Sequence, residues 1–281
     1  MCSRRLALPL MLLSVGCWHR DPTGARSALD GSAPDLEDVS DATIGDASES
    51  DGLGVGVDTG PPPRPVGCDA IDTLVDENVF SDGFESYAVG PFENAPGSPW
   101  VRASMGRDVE ISSAASSSGT NSLLIQSFTT KTETDYVPLS ADPLPPRISF
   151  QATFLLDGFI VYEDFVSWGL AVVRSKYDIQ SVLQLKMSNH DLTLVPADGS
   201  APVPLFSELD YGDPPRANTV RVDVDLCAWQ VSVSVGVPTS SLALRATTPI
   251  QPFSSVSALY LSGGVNQVYV DDAAVDLLAA P

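Results

Sequence analysis

Residues 219–236 read TVRVDVDLCAWQVSVSVG. Val220, Val222, Val224 and Leu226 alternate with Arg221, Asp223 and Asp225, and after Cys227–Ala228 the alternation resumes with Trp229, Val231, Val233 and Val235. Successive side chains of an extended strand point to opposite faces, so this order separates an apolar face from a wet one only in β-structure. The parity slips by one at Cys227–Ala228. A tight turn there makes the two segments an antiparallel hairpin, and a bulge is the alternative.

The same grammar recurs in ISFQATFLLD (148–157), VSWGLAVVRS (166–175), VLQLKMS (182–188) and LTLVPADG (192–199). No segment sustains a 3.6-residue apolar period; CDAIDTLVDENVF (68–80) has room for one or two helical turns. Many short strands at even spacing, broken by Gly, Pro, Asn and Asp, predict an all-β fold. Residues 68–281 are too many for an immunoglobulin domain and suit a jelly-roll β-sandwich of two antiparallel sheets.

The chain carries 36 acidic against 15 basic side chains, a formal net charge of -21. That field opposes nucleic acid and anionic membrane surfaces and favours neutral or cationic partners. Residues 21–60 hold ten acids and one base, Arg26, with no aromatic residue. Such a segment cannot bury enough apolar surface to offset its ordering entropy. Residues 17–67 are therefore expected to be a disordered acidic linker, stiffened near its end by PPPRP, 61–65.

At the N-terminus, Arg4 and Arg5 precede an apolar run from Leu6 to Val15. It is too short to span a bilayer as a helix and has the form of a secretory signal. Leu13-Ser14-Val15-Gly16-Cys17 resembles the lipobox of bacterial lipoproteins, although Ser14 stands where that motif usually has leucine. The resemblance implies removal of residues 1–16 and a lipid anchor, palmitate included, on Cys17. Export to an oxidising compartment leaves Cys68 and Cys227 as an even pair. A disulfide is the simplest accounting, with two buried thiols as the alternative. The expected location is the outer membrane or cell surface, with secreted or periplasmic forms as alternatives.

Three further segments stand in order: DGFESYAVGPF (82–92) followed by Pro99-Trp100, GTNSLLIQS (119–127) and VYVDDAAV (268–275). They resemble the concanavalin A-like jelly roll of laminin-G-like and carbohydrate-binding domains. In that family a calcium ion often pins the first and last strands through an early acid and a late aspartate. The resemblance therefore implies Glu85 with Asp271 or Asp272 as metal ligands. Calcium takes oxygen donors, and carboxylates supply them. A metal-free role, accepting backbone N–H groups at the strand end, is the other reading. Adjacent strand residues diverge, so one aspartate is expected inward and the other in water. Phe84, Tyr87 and Tyr269 are expected around that end of the sandwich.

No catalytic pattern emerges. Glycoside hydrolysis needs a placed pair of carboxyl groups, yet Glu163 and Asp164 are adjacent and diverge if extended. His190, in KMSNHDL, reads as a turn residue, and there is no nucleophile elbow, HExxH or phosphate loop. The expected function is non-enzymatic: a lipid-anchored envelope protein whose jelly roll binds a polysaccharide or another envelope component. A structural or protein-interaction lipoprotein is the alternative, and a divergent glycosidase or lyase a more distant one. A sugar site needs aromatics to stack on. The candidates are Tyr162, Trp168 and Tyr211, with Tyr177 another surface aromatic. Trp168 also has the apolar neighbours of a core residue.

Overall fold

In this computed structural model residues 64–92, 97–103, 109–126, 133–157, 165–237, 240–264 and 267–279 are described. The expected signal segment, Cys17, residues 18–63 of the expected linker and Tyr162 lie outside the described residues. All the described residues belong to one unit, Asp58–Pro281.

The alternating segments pair into two sheets. One orders its strands β14 (Ser240–Pro249), β13 (Gln230–Val237), β12 (Arg216–Asp225), β7 (Arg147–Leu156), β16 (Val268–Ala279), β5 (Ser122–Ile125), β4 (Val109–Ser112) and β2 (Gly90–Pro91), and β1 (Val75–Asp82) also pairs with β16. The other runs β11 (Val203–Phe206), β10 (Asp191–Val195), β9 (Asp178–Ser188), β8 (Phe165–Ser175), β15 (Ala258–Gly264), β6 (Glu133–Pro138) and β3 (Val101–Arg102). Every strand ladder among the described residues is antiparallel. This is the jelly-roll sandwich expected from the strand pattern.

The opening hairpin is β12–β13. Its ladder closes at Asp225 opposite Gln230. Asp225 Oδ1 accepts the backbone N–H groups of Cys227 (2.9 Å) and Ala228 (3.0 Å), which stabilises the turn. Trp229 stands in that turn at φ +51°, not in the strand, and its ring meets Phe253 edge-on at 5.4 Å.

Between the sheets lies one apolar layer. Val220, Val222 and Val224 of β12, Val231, Val233 and Val235 of β13, and Ile148, Phe150 and Phe154 of β7 are buried on one side. Trp168, Leu170, Leu185, Leu259 and Leu261 close it from the other. Trp168 meets Phe150 at 4.7 Å and Phe154 at 5.3 Å, both edge-on. Such pairs add to the area term of burial.

The expected short helix is a single 3-10 segment, Cys68–Thr73, and β1 follows directly. Cys68 is disulfide-bonded to Cys227 at an S–S distance of 2.08 Å, joining the start of the domain to the hairpin turn. The bond closes a span of 159 residues. The chain-entropy model assigns such a loop up to about 5 kcal/mol. A Cys68→Ser/Cys227→Ser variant should therefore unfold at lower denaturant, with a loss of several kcal/mol. An unchanged midpoint would show that the bond is energetically idle.

Candidate functional site

The seven-stranded sheet has a second face, directed away from the core. On β8, Val166, Trp168 and Leu170 enter the core, so Phe165, Ser167, Gly169 and Ala171 take the opposite face. Small side chains there leave a depression. Gly169 is required by close approach: a Cβ would fall 1.9 Å from the carbonyl oxygen of Leu183. A groove of about 460 Å³ results, with Phe165, Ser167, Tyr177, Ser181, Gln184 and Tyr260 prominent in its lining. Thr134, Ser262, Ala103 and Ile179 complete it.

The polar groups of the groove are held in place. Gln184 Nε2 donates to Ser167 Oγ at 2.8 Å. The hydroxyls of Ser181 and Tyr260 are 3.1 Å apart, and those of Thr134 and Ser262 are 3.0 Å apart. Burial pushes the Tyr260 phenol well above its ordinary pKa, so it stays a neutral donor and acceptor. Among the described residues lining the groove there is no carboxylate, ammonium, guanidinium or imidazole. Hydroxyls, one amide and aromatic faces can bind a neutral polyol, but they offer no acid–base pair.

Of the three aromatics read from the sequence as ligand-binding, Trp168 and Tyr211 do not share this surface. Trp168 is 1% exposed and points into the core, where stacking on a sugar is impossible. Its β8 parity decides this, since its neighbours on alternate positions are the core residues Val166 and Leu170. Tyr211 is part-buried against the core cluster, its ring 4.4 Å from His190, and it does not line the groove. Burial pushes the Tyr211 phenol up to about 12. Tyr162 lies outside the described residues. Tyr177 does reach the surface, at 61% exposure, and lines the groove. His190 sits in the β9–β10 turn with Asn189, both at positive φ, and its Nδ1 lies 2.9 Å from the Leu209 carbonyl.

Glu85, Asp271 and Asp272 converge on the loop between β4 and β5, but on its backbone and hydroxyls. Asp271 Oδ2 accepts from Ser117 N (2.8 Å), Ser117 Oγ (2.9 Å) and Ser118 N (3.0 Å), and its Oδ1 accepts from Asp272 N (2.8 Å). Asp272 accepts from Ser117 Oγ at 2.9 Å and Ser118 Oγ at 2.7 Å. Glu85 accepts from Thr120 N (2.8 Å), Asn121 N (2.7 Å) and Thr120 Oγ1 (3.0 Å). Gly119, at φ +57°, lies under the Glu85 carboxylate; a Cβ there would sit 2.3 Å from Glu85 Oε1.

The expectation that the two aspartates diverge is corrected. Asp272 has φ +50°, and the β16–β7 register shifts between Asp271 and Ala274. This bulge turns both carboxylates to one loop. The Asp271 carboxylate takes three backbone N–H groups, those of Ser117, Ser118 and Asp272. Among the described residues no three His, Cys, Asp or Glu side chains gather as a metal site. The metal-free reading, acceptance of backbone N–H groups, matches these distances. Tyr269 is corrected too: it packs with Leu124 and Leu155, away from Phe84 and Tyr87.

Sequence reasoning missed Asp82. Its Oδ1 takes the N–H of Phe84 (2.8 Å), and its Oδ2 takes the Tyr87 hydroxyl (2.7 Å) and the Trp100 indole N–H (3.0 Å). It also missed the groove, although the alternation Phe165-x-Ser167-x-Gly169-x-Ala171 was there to find.

No protein-family model matches the chain, and no curated protein matches its sequence. Solved structures of similar path are lectin II from Ulex europaeus, the VIP36 exoplasmic/lumenal domain and a protein of unknown function from Shewanella oneidensis. The first has a TM-score of 0.46 at 11% identity, covering 72% of this chain and 100% of that one. The VIP36 domain, bound to Ca2+ and Man3GlcNAc in its structure, has 0.48 at 9%, covering 70% and 90%. The Shewanella protein has 0.48 at 10%, covering 75% and 90%. At these values the likeness is one of chain path, and the candidate sites are the groove and the seam that Glu85, Asp271 and Asp272 form with the β4–β5 loop.

Two outcomes are expected at the seam. Asp271→Ala removes the buried carboxylate that accepts these N–H groups and should cost about 1–3 kcal/mol of unfolding free energy, while chelator leaves the wild-type melting midpoint unmoved. The Asn121 and Thr120 N–H groups hold the Glu85 carboxyl below its ordinary pKa. A depressed folded-state value gives stability that is present above the unfolded pKa and lost as pH falls through the folded one. Glu85→Gln should therefore be less stable than wild type at neutral pH, and the difference should vanish in strong acid. A constant difference across that range rules out the carboxylate's role.

Proposed function

We propose that this chain is a lipid-anchored envelope protein whose jelly-roll domain binds a glycan, without catalysis, in the groove of the seven-stranded sheet. The observation that carries this reading is the groove's chemistry. Held hydroxyls of Ser167, Ser181 and Ser262 and the Gln184 amide match the donors and acceptors of sugar hydroxyls. Phe165, Tyr177 and Tyr260 give apolar ring faces beside them. Small-molecule sites combine such apolar walls with a few placed polar groups. The concanavalin A-like resemblance read from the sequence points the same way.

In this reading Cys17 carries the acyl anchor and residues 17–67 tether the domain away from the lipid at the outer membrane or cell surface. A flexible tether of this kind lets the groove search a volume around its anchor point. Partners are envelope or extracellular polysaccharides, with the membrane engaged through the anchor alone.

A glycan array probed with the purified full chain tests the reading. Bound saccharides are expected, and Gln184→Ala should weaken the best of them by about 1 kcal/mol, roughly fivefold. An array on which nothing binds removes the glycan-binding function. For the anchor, acyl-chain labelling should mark the wild-type chain and spare Cys17→Ser.

A further inference from the structure

Among its described lining residues the groove carries no charge, but cations stand beside two of its aromatic walls. Lys186 stands opposite Ser167 on the β8–β9 ladder, and its Nζ lies 4.8 Å from the centre of the Phe165 ring. At the far end of the same ladder, Lys176 Nζ lies 5.4 Å from the centre of the Tyr177 ring. Phe165 and Tyr177 both line the groove. Arg174, also exposed, sits two residues before Lys176. None of the three cations forms an ion pair among the described residues, whose salt bridges are Arg64–Asp69, Arg102–Asp135 and Arg221–Asp223.

This distribution runs against the rest of the chain. Residues 68–281 hold 26 acidic and 10 basic side chains. Residues 165–188, which form the β8–β9 pair, hold three of those bases and one acid, Asp178. On the adjoining strand Asp191 stands opposite Ser188, and Thr193 is the residue opposite Lys186. A ring face attracts an ammonium group without neutralising it. The lysines are thereby positioned while their charge stays available to a ligand.

We propose that the glycan bound in this groove is anionic, bearing sparse carboxylate, sulfate or phosphate groups. This rests on the glycan-binding reading above and specifies its ligand class. Uncharged parts of the saccharide lie over Tyr260, Ser167 and Gln184, and the charged substituents meet Lys186 and Lys176. The charge of -21 on the whole chain repels polyanions at long range. The local cations act only within the screening length, about 8 Å at physiological salt. Sparsely charged saccharides therefore outcompete densely sulfated polymers and nucleic acids.

The test uses the purified full chain on an array of uronate-, sulfate- and phosphate-bearing oligosaccharides beside their neutral counterparts. Lys176→Gln, Lys186→Gln and Lys186→Arg variants are measured in parallel, with melting midpoints recorded for each. Preferential binding of the charged forms is expected. Each Gln substitution should lower affinity about threefold, in line with exposed ion pairs, and Lys186→Arg should restore it. Raising salt to about 1 M, where the screening length is about 3 Å, should abolish the preference. Binding to neutral forms alone, or Gln variants that bind charged forms as well as wild type does, overturns the anionic assignment and leaves glycan binding intact. An array with no binding of any kind overturns both.

Discussion

Strand β16 changes neighbours part-way along its length, and the carboxylate of Asp271 stands at the change. On one side β16 pairs with β7 throughout. On the other it pairs with β5 over Val268–Val270 and with β1 over Ala273–Ala279. A junction of this kind interrupts the ladder, and the β4–β5 loop beside it needs other acceptors for its backbone N–H groups. Asp271, at 0% exposure, takes the N–H groups of Ser117, Ser118 and Asp272. Asp272 and Glu85 then fasten the same loop from either side. The first and last strands pair directly, this loop fastens their end near Asp82 and Ala273, and the Cys68–Cys227 bond ties the start of the domain to the β12–β13 turn.

The groove follows from a different constraint, the two-fold period of β8 and β9. The parity that sends Trp168 into the core also directs Ser167 and Gly169 to the outer face. The bulge between Leu170 and Ala171 in the β8–β9 register keeps Ser181 and Gln184 both on that face. One alternation thus builds a dry layer and a wet one on the same strands. The separate outer cluster of Tyr136, Ala171, Ala258 and Tyr260 gives the wet face its firm base. Binding and stability therefore share the strands but not the side chains. Substitutions at Gln184 or Lys186 are free to alter the ligand without entering the core.

The apolar alternation of β7, β12 and β13 made the sandwich legible before any coordinates, because burial on one face demands that period. The disulfide was legible as the simplest accounting of the cysteines, with free thiols as the alternative until the structure brought Cys68 and Cys227 together. The seam was legible only as a coincidence of acidic residues at two ends of the chain. Its chemistry was not, because the Ser117-Ser118 partners lie over 150 residues from Asp271 in sequence. Trp168 was ambiguous for a related reason. A tryptophan flanked by Ser167 and Gly169 looks accessible until the facing layer, Phe150 and Phe154, is known. Asp82 gave no warning, since its three donors are assembled by the turn that Phe84 makes at φ +59°.

The sequence by itself determined the β-class, the strand periods and the acidic N-terminal segment. Each is a local or compositional property that needs no knowledge of neighbours. The tertiary structure decided which face of β8 and β9 became solvent-facing and where the two lysines stood along it. It also turned two adjacent aspartates toward one loop. Those outcomes depend on which strands lie side by side and on a bulge at Asp271–Asp272, and hydrogen-bond pairing between segments far apart in the chain settles both.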